Sequence, residues 1–152
     1  MPMPPRHFFS LASQMIVQGG LDEAAYRTVV GRAYYACYLT ARDRLFGADR
    51  DPPKSKKDQI VGRNDVGVHA VVEYALAGHP LMSPGSRKNM HDRLQQLKAA
   101  RTLSDYFVSK QPADEALEFR KLNAASWEEY AHKAISLASG LLPDLEKIVN
   151  YP

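Results

Sequence analysis

The sequence predicts an all-α fold, a four- to five-helix up-and-down bundle. Three observations predict it. Apolar residues recur at steps of three and four over several long stretches, which is one face of a 3.6-residue helix. Proline falls outside the longest of those stretches, which holds a single glycine. No segment shows the period-two alternation of a strand, and there is no internal repeat or low-complexity tract.

The elements follow in order. Prolines crowd the first residues, which read as a lead-in. From His7 to Gln18 the positions Phe8, Leu11, Ala12, Met15 and Ile16 trace a helical stripe that Gly19-Gly20 stops. Asp22 is placed to cap the next helix. The short connection favours two antiparallel neighbours. The stretch Tyr26 to Phe46 has no proline and one glycine, Gly31, and reads as the central helix. Its stripe is Val29, Val30, Ala33, Tyr34, Cys37, Tyr38, Ala41 and Leu45. Arg27, Thr28, Arg42, Asp43 and Arg44 mostly lie off it. Tyr34 and Tyr38 bring hydroxyls that need partners when buried.

Residues 48–62 carry Pro52-Pro53 and Lys54, Lys56 and Lys57 without a sustained period. They read as a flexible basic linker, either a solvated loop or a flap near an anionic ligand. No aromatic residue interleaves the lysines, so no base-stacking platform is evident. Asn64 or Asp65 is expected to cap a third helix with Val68, Val71, Val72 and Ala75 on its apolar side, ending at Gly78. A fourth helix is expected from about Ser86 to Val108, with Met90, Leu94, Leu97, Ala100, Leu103, Ser104 and Phe107 inside. Arg101 and Asp105, four apart, share a helix face and can pair. Residues 109–122 read either as a short helix or as a loop packing Leu117 and Phe119. Ser126 and Glu129 form a capping box that opens the last helix. Gly140 and Pro143 are expected to break or kink it near Ser139.

Composition bounds the function classes. A chain of 152 residues fits one domain, read as 1–152 with a core over 8–148. The single cysteine, Cys37, excludes an internal disulfide and a cysteine-based metal site. It sits on the central stripe and reads as a small buried thiol, which suits a reducing cytoplasm. The first residues lack a signal-peptide pattern, and no stretch approaches the roughly 18 apolar residues of a membrane span. The expectation is a cytoplasmic protein with no membrane contact. Net charge is +3 and the pI is near 9.0, which permits contact with a polyanion without arguing strongly for it.

No glycine-rich phosphate loop is present, and the five histidines show no metal-ligand spacing, so neither a metal nor a cofactor is expected. One constellation carries chemistry: Arg63-Asn64, four residues, then His69. Arg63 is expected at the entrance of the third helix and His69 just over one turn in. Their heads can converge where free backbone N–H groups already favour an anion. Arginine clamps phosphate, and imidazole moves protons near neutral pH. Together they suit cleavage of a phosphodiester by an adjacent ribose hydroxyl. Spacing alone carries little information. The plainer reading has Asn64 capping, Arg63 solvated and His69 packed.

The stretch GRAYYACYLTARDRL, Gly31 to Leu45, resembles the signature helix of HEPN domains (higher eukaryotes and prokaryotes nucleotide-binding), with Arg-Ala-Tyr-Tyr-Ala at Arg32 to Ala36. A second block, LKAARTLSDY from Leu97 to Tyr106, is similar to a helix of one bacterial HEPN group, with Ser104 in place of the usual alanine. The resemblance covers about residues 8 to 148. It implies an all-α HEPN-like bundle that commonly forms a homodimer. Many members are metal-independent endoribonucleases of toxin–antitoxin or defence systems. Their Arg-polar-spacer-His motif is matched in order and length by Arg63, Asn64 and His69, though here it precedes the third helix instead of opening a late one. Other members are non-catalytic modules that bind nucleic acid or nucleotides, or partner a nucleotidyltransferase. The resemblance therefore leaves two readings: an RNA-cleaving protein with an antitoxin, and a binding or partner module. Lys54, Lys56 and Lys57 are candidate nucleic-acid contacts. Arg32, Tyr34, Tyr35, Arg101, Asp105 and Tyr106 carry the resemblance. They read as a structural polar network in which Arg32 pairs with Asp105, since a buried arginine needs a carboxylate. The alternative turns Arg32 to the ligand groove.

Overall fold

The computed structural model describes residues 3–48, 51–62, 66–106 (Tyr106 by its backbone) and 124–152. These residues are all-helical. They form α1 (Pro5–Gln18), α2 (Glu23–Phe46), α3 (Lys54–Val61), α4 (Val68–Ala77), α5 (Pro84–Tyr106) and α6 (Trp127–Leu145). The expected segment 109–122 lies outside the described residues.

The rest of the chain is built around α2, which packs against α1, α4, α5 and α6. Asp22 caps it, its Oδ1 accepting from the Ala25 N–H at 2.8 Å. Gly47 ends it at φ 104°, a conformation that costs glycine nothing. Its buried residues spread beyond one stripe: Val29, Val30, Ala33, Tyr34, Ala36, Cys37, Thr40 and Ala41 cover several sides. A helix sheathed by others is apolar nearly all round. Ala33, Ala36, Cys37 and Ala41 are small enough to let those neighbours approach. The surrounding core comes from Ala12, from Val72, Ala75 and Leu76, from Leu94, Leu97 and Ala100, and from Tyr130, Ala134, Ala138, Leu141 and Leu142.

Four expectations are corrected. Residues 54–61 form a helix within the expected linker. Pro53 precedes it and Gly62, at φ 80°, closes it in the left-handed region. The helix has no fully buried residue, so no apolar period announced it. It is held in part from outside: Lys56 Nζ and Gln59 Nε2 donate to the Pro152 carbonyl, and Lys56 lies 5.8 Å from the Tyr151 ring centroid. The N-cap of α4 is Gly67, with no side-chain cap, and not Asn64 or Asp65, which lie outside the described residues. The last helix does not stop near Ser139 but runs through Gly140 and Pro143 to Leu145. Pro143 removes one N–H close to the helix end, while Leu141, Leu142 and Leu145 are fully buried and hold the turn. Finally, Arg27 is buried rather than off the core. It bonds the Leu103 and Ser104 carbonyls at 3.3 and 3.1 Å and lies 4.1 Å over the Trp127 ring. The capping box opens α6 as expected: Ser126 Oγ accepts from Glu129 N–H, and Glu129 Oε2 from Ala125 N–H.

After α6 the chain returns across the end of α2. Tyr151 N–H donates to the Leu45 carbonyl at 3.0 Å, and Arg44 Nε to Ile148 at 3.1 Å. His79, fully buried, donates from Nε2 to the Val149 carbonyl at 2.9 Å and accepts the Leu81 N–H at Nδ1.

Candidate functional site

The site forms where α2, α4 and α5 meet. On α2, Tyr34 and Tyr38 are one turn apart and turn their rings to the same side, with Tyr35 beside them. His69 is the second residue of α4, in the first turn rather than more than a turn in. Its ring lies flat on Tyr38, with centroids 4.0 Å apart and planes 5° apart. Its Nδ1 is hydrogen-bonded to the Tyr34 hydroxyl at 2.6 Å. The Tyr35 ring meets it edge-on at 6.5 Å.

Charged groups ring this imidazole. Glu73, one turn along α4, is paired with Lys98 Nζ at 2.6 Å. Arg101 donates from Nη2 to the Tyr35 hydroxyl at 2.6 Å and pairs through Nε with Asp105 at 2.9 Å. Its guanidinium carbon stands 5.2 Å from the Tyr35 ring centroid and 5.9 Å from that of Tyr34. Lys98, Arg101 and Asp105 share a face of α5 by their helical spacing.

Burial and charge set the protonation states. The His69 pKa is lowered from its ordinary 6.5, first by burial and then by the nearby charges of Lys98 and Arg101, with Glu73 opposing. The ring is therefore neutral at pH 7. Burial pushes the Tyr34 phenol well above its ordinary range, with Glu73 adding to the shift, so it keeps its proton. Burial also pushes Tyr38 up to about 12, against a lowering by Arg42. Tyr34 makes no other hydrogen bond among the described residues. Its hydroxyl can donate to a bare Nδ1, leaving Nε2–H outward as a donor. It can also accept from Nδ1–H, leaving a bare Nε2 to take a proton, at the cost of a phenolic hydrogen with no acceptor among the described residues. Nε2 has no protein partner among the described residues and is not sealed from solvent.

The structure brings together four of the expected residues: His69, Tyr34, Arg101 and Asp105. Arg63 and Asn64 lie outside the described residues, as does the side chain of Tyr106. The expected Arg32–Asp105 pair is not formed: Asp105 is taken by Arg101, one turn away on its own helix, and Arg32 Nε is buried without a hydrogen bond among the described residues. Lys56 is committed to Pro152, while Lys54 is exposed and Lys57 half-buried. Tyr35 was legible only as part of the resemblance, and Glu73 and Lys98 were missed as site residues. The one signal that pointed to them was spacing: Glu73 is four residues from His69, and Lys98 three from Arg101. Among the described residues no group of three or more His, Cys, Asp or Glu side chains is arranged to hold a metal, and no helix is long and apolar enough to cross a membrane. No protein-family model, curated protein or solved structure matches this chain.

Proposed function

We propose that this chain is a HEPN-type protein acting on RNA, a metal-independent endoribonuclease in which His69 transfers the proton. The observation that carries this reading is the mounting of His69. Stacked on Tyr38 and bonded through Nδ1 to Tyr34, it is neutral at pH 7 and keeps Nε2 for a ligand. A general base needs that combination of orientation and protonation state. Further support comes from the two blocks that resemble HEPN helices: they fall on α2, which supplies the partners of the imidazole, and on α5, which supplies the arginine bonded to Tyr35.

In this scheme the ribose 2′-hydroxyl passes its proton to His69 and attacks the adjacent phosphorus. The P–O5′ bond breaks, the departing oxygen is protonated by solvent, and the product ends are a 2′,3′-cyclic phosphate and a 5′-hydroxyl. Arg63 stabilises the charge of the phosphorane, and Asn64 orients one of the two. The protein works as a homodimer that an antitoxin partner restrains.

A second reading makes the chain a binding module for nucleic acid or nucleotide, or a partner of a nucleotidyltransferase. The observation favouring it, and within it the partner of a nucleotidyltransferase, is that Lys98 and Arg101 already face Glu73 and Asp105, carboxylates that repel an incoming phosphate. One experiment separates the two: the purified protein and His69→Ala are incubated with a mixed RNA pool in EDTA. Cleavage by the wild type alone, leaving cyclic-phosphate ends, supports the ribonuclease. Binding by a folded protein without cleavage supports the module.

A further inference from the structure

Three tyrosines face this site, and the hydrogen-bond inventory distinguishes one of them. Tyr34 is 1% exposed and its hydroxyl is spent on His69. Tyr38 is 5% exposed and serves as the stacking surface. Tyr35 is only half-buried, and its hydroxyl oxygen accepts from Arg101 Nη2. Arginine has donors and no acceptor, so the phenolic hydrogen of Tyr35 cannot be returned to it. No other hydrogen bond of Tyr35 is formed among the described residues. That hydrogen is a fixed donor waiting for an acceptor. A hydroxyl that accepts from a cation is also a stronger donor, because each bond polarises the next. Arg101 is itself held by Asp105 and by its place against the Tyr35 ring, so the phenol is braced. The ring stands 6.5 Å from that of His69, close enough for one phosphate group to touch both side chains.

We infer that Tyr35 is a further catalytic residue of the His69 site, its hydroxyl donating a hydrogen bond to a non-bridging oxygen of the RNA phosphate on which His69 acts. Arg101 is the positioning residue behind it. The inference rests on the ribonuclease reading for its chemistry, but the contact with phosphate stands separately. Tyr35 makes no covalent bond and gives up no proton. It stabilises negative charge that grows on the oxygen as the 2′-oxygen attacks.

Tyr35→Phe tests this, since it keeps the ring and removes the hydroxyl. Turnover of a short RNA in EDTA is measured for the wild type, Tyr35→Phe and Arg101→Lys. Binding of the same oligonucleotide with 2′-deoxy sugars is measured by anisotropy, and unfolding in urea checks the fold. The expected result is a fall in kcat of about a hundredfold to a thousandfold for Tyr35→Phe, with little change in KM, as for loss of one donor to a developing oxyanion. Arg101→Lys, which retains charge without the planar fork, should fall between. A Tyr35→Phe turnover within twofold of the wild type overturns the inference while leaving the ribonuclease reading intact. Absence of cleavage by the wild type instead removes the ribonuclease reading. The deoxy-oligonucleotide then decides for Tyr35: weaker binding by Tyr35→Phe sustains the phosphate contact, and equal binding overturns it.

Discussion

Replacing Arg27 with methionine should destabilise the fold by about 2–3 kcal/mol, a net figure for a buried arginine exchanged for an apolar side chain. The Arg27 side chain is 9% exposed. It bonds two carbonyls in the last turns of α5, Leu103 and Ser104, and covers the Trp127 indole at 4.1 Å. A hydrogen bond from a charged donor contributes roughly 1.5 kcal/mol or more. A desolvated cation–π contact contributes about 1–2 kcal/mol. The pair with Glu23, itself half-exposed, adds only about 0.3–0.5 kcal/mol. Against these stands the cost of taking the guanidinium out of water, which methionine does not incur and which reduces the net loss. For a chain of this size each kcal/mol moves Tm by roughly 2–4 °C, so Arg27→Met should melt about 5–10 °C lower. Trp127 is the one tryptophan and touches the altered group, so urea unfolding followed by its emission reads the change directly. Arg27→Lys should recover only part of the loss, because a lysine lacks the planar fork that spans both carbonyls. An Arg27→Met protein as stable as the wild type would refute the idea that this clamp joins α2, α5 and α6.

Other perturbations have equally definite signs. Gly31→Ala should stabilise by about 0.5 kcal/mol, because mid-helix glycine is unfavourable and the added methyl meets Asp105 Oδ1 only at an ordinary 3.4 Å; a drop in the urea midpoint would mean that α2 and α5 approach too closely for it. His79→Ala should cost about 3 kcal/mol, through two lost hydrogen bonds and a buried cavity. It should also expose residues 148–152 to proteolysis, and an unchanged digestion pattern would count against their anchoring. Because the folded-state pKa of His69 lies below its unfolded value near 6.5, the unfolded chain binds the proton more readily. His69 therefore favours the folded state fully above pH 6.5 and progressively less as pH falls below it. Urea unfolding at pH 7.5 and 5.5 should show a smaller acid-induced loss in His69→Gln than in the wild type, and equal losses would contradict the assigned direction.

Where the sequence was legible, the physics was local. Asp22 and Ser126 cap helices through bonds three residues long, and Gly47 ends one through its own backbone freedom. The long helices carried their apolar periods openly. The short α3 did not, because its sequence is polar and its anchors, Tyr151 and Pro152, lie more than 90 residues away. Pro143 misled for the same reason: the local penalty was visible, and the three buried leucines that outweigh it were not.

His69 could be singled out from its neighbours in the chain, but what makes it chemically useful could not. Its tautomer partner, Tyr34, is 35 residues away, and the cations that depress its pKa come from α5. Arg32 and Asp105 looked like a pair because each was a charge in search of another, yet Arg101 sits one turn from Asp105 on the same helix and takes it. Arg27 read as lying off the apolar stripe of its helix; the α5 carbonyls and the Trp127 face that receive it are assembled only by packing. The sequence alone thus determined the helical class, most helix limits and the central place of α2, since these follow from period and capping within a few residues. The tertiary structure alone decided which side chains are desolvated and which charges on different helices face each other, because burial and Coulomb interactions depend on distances through space that the order of residues does not contain.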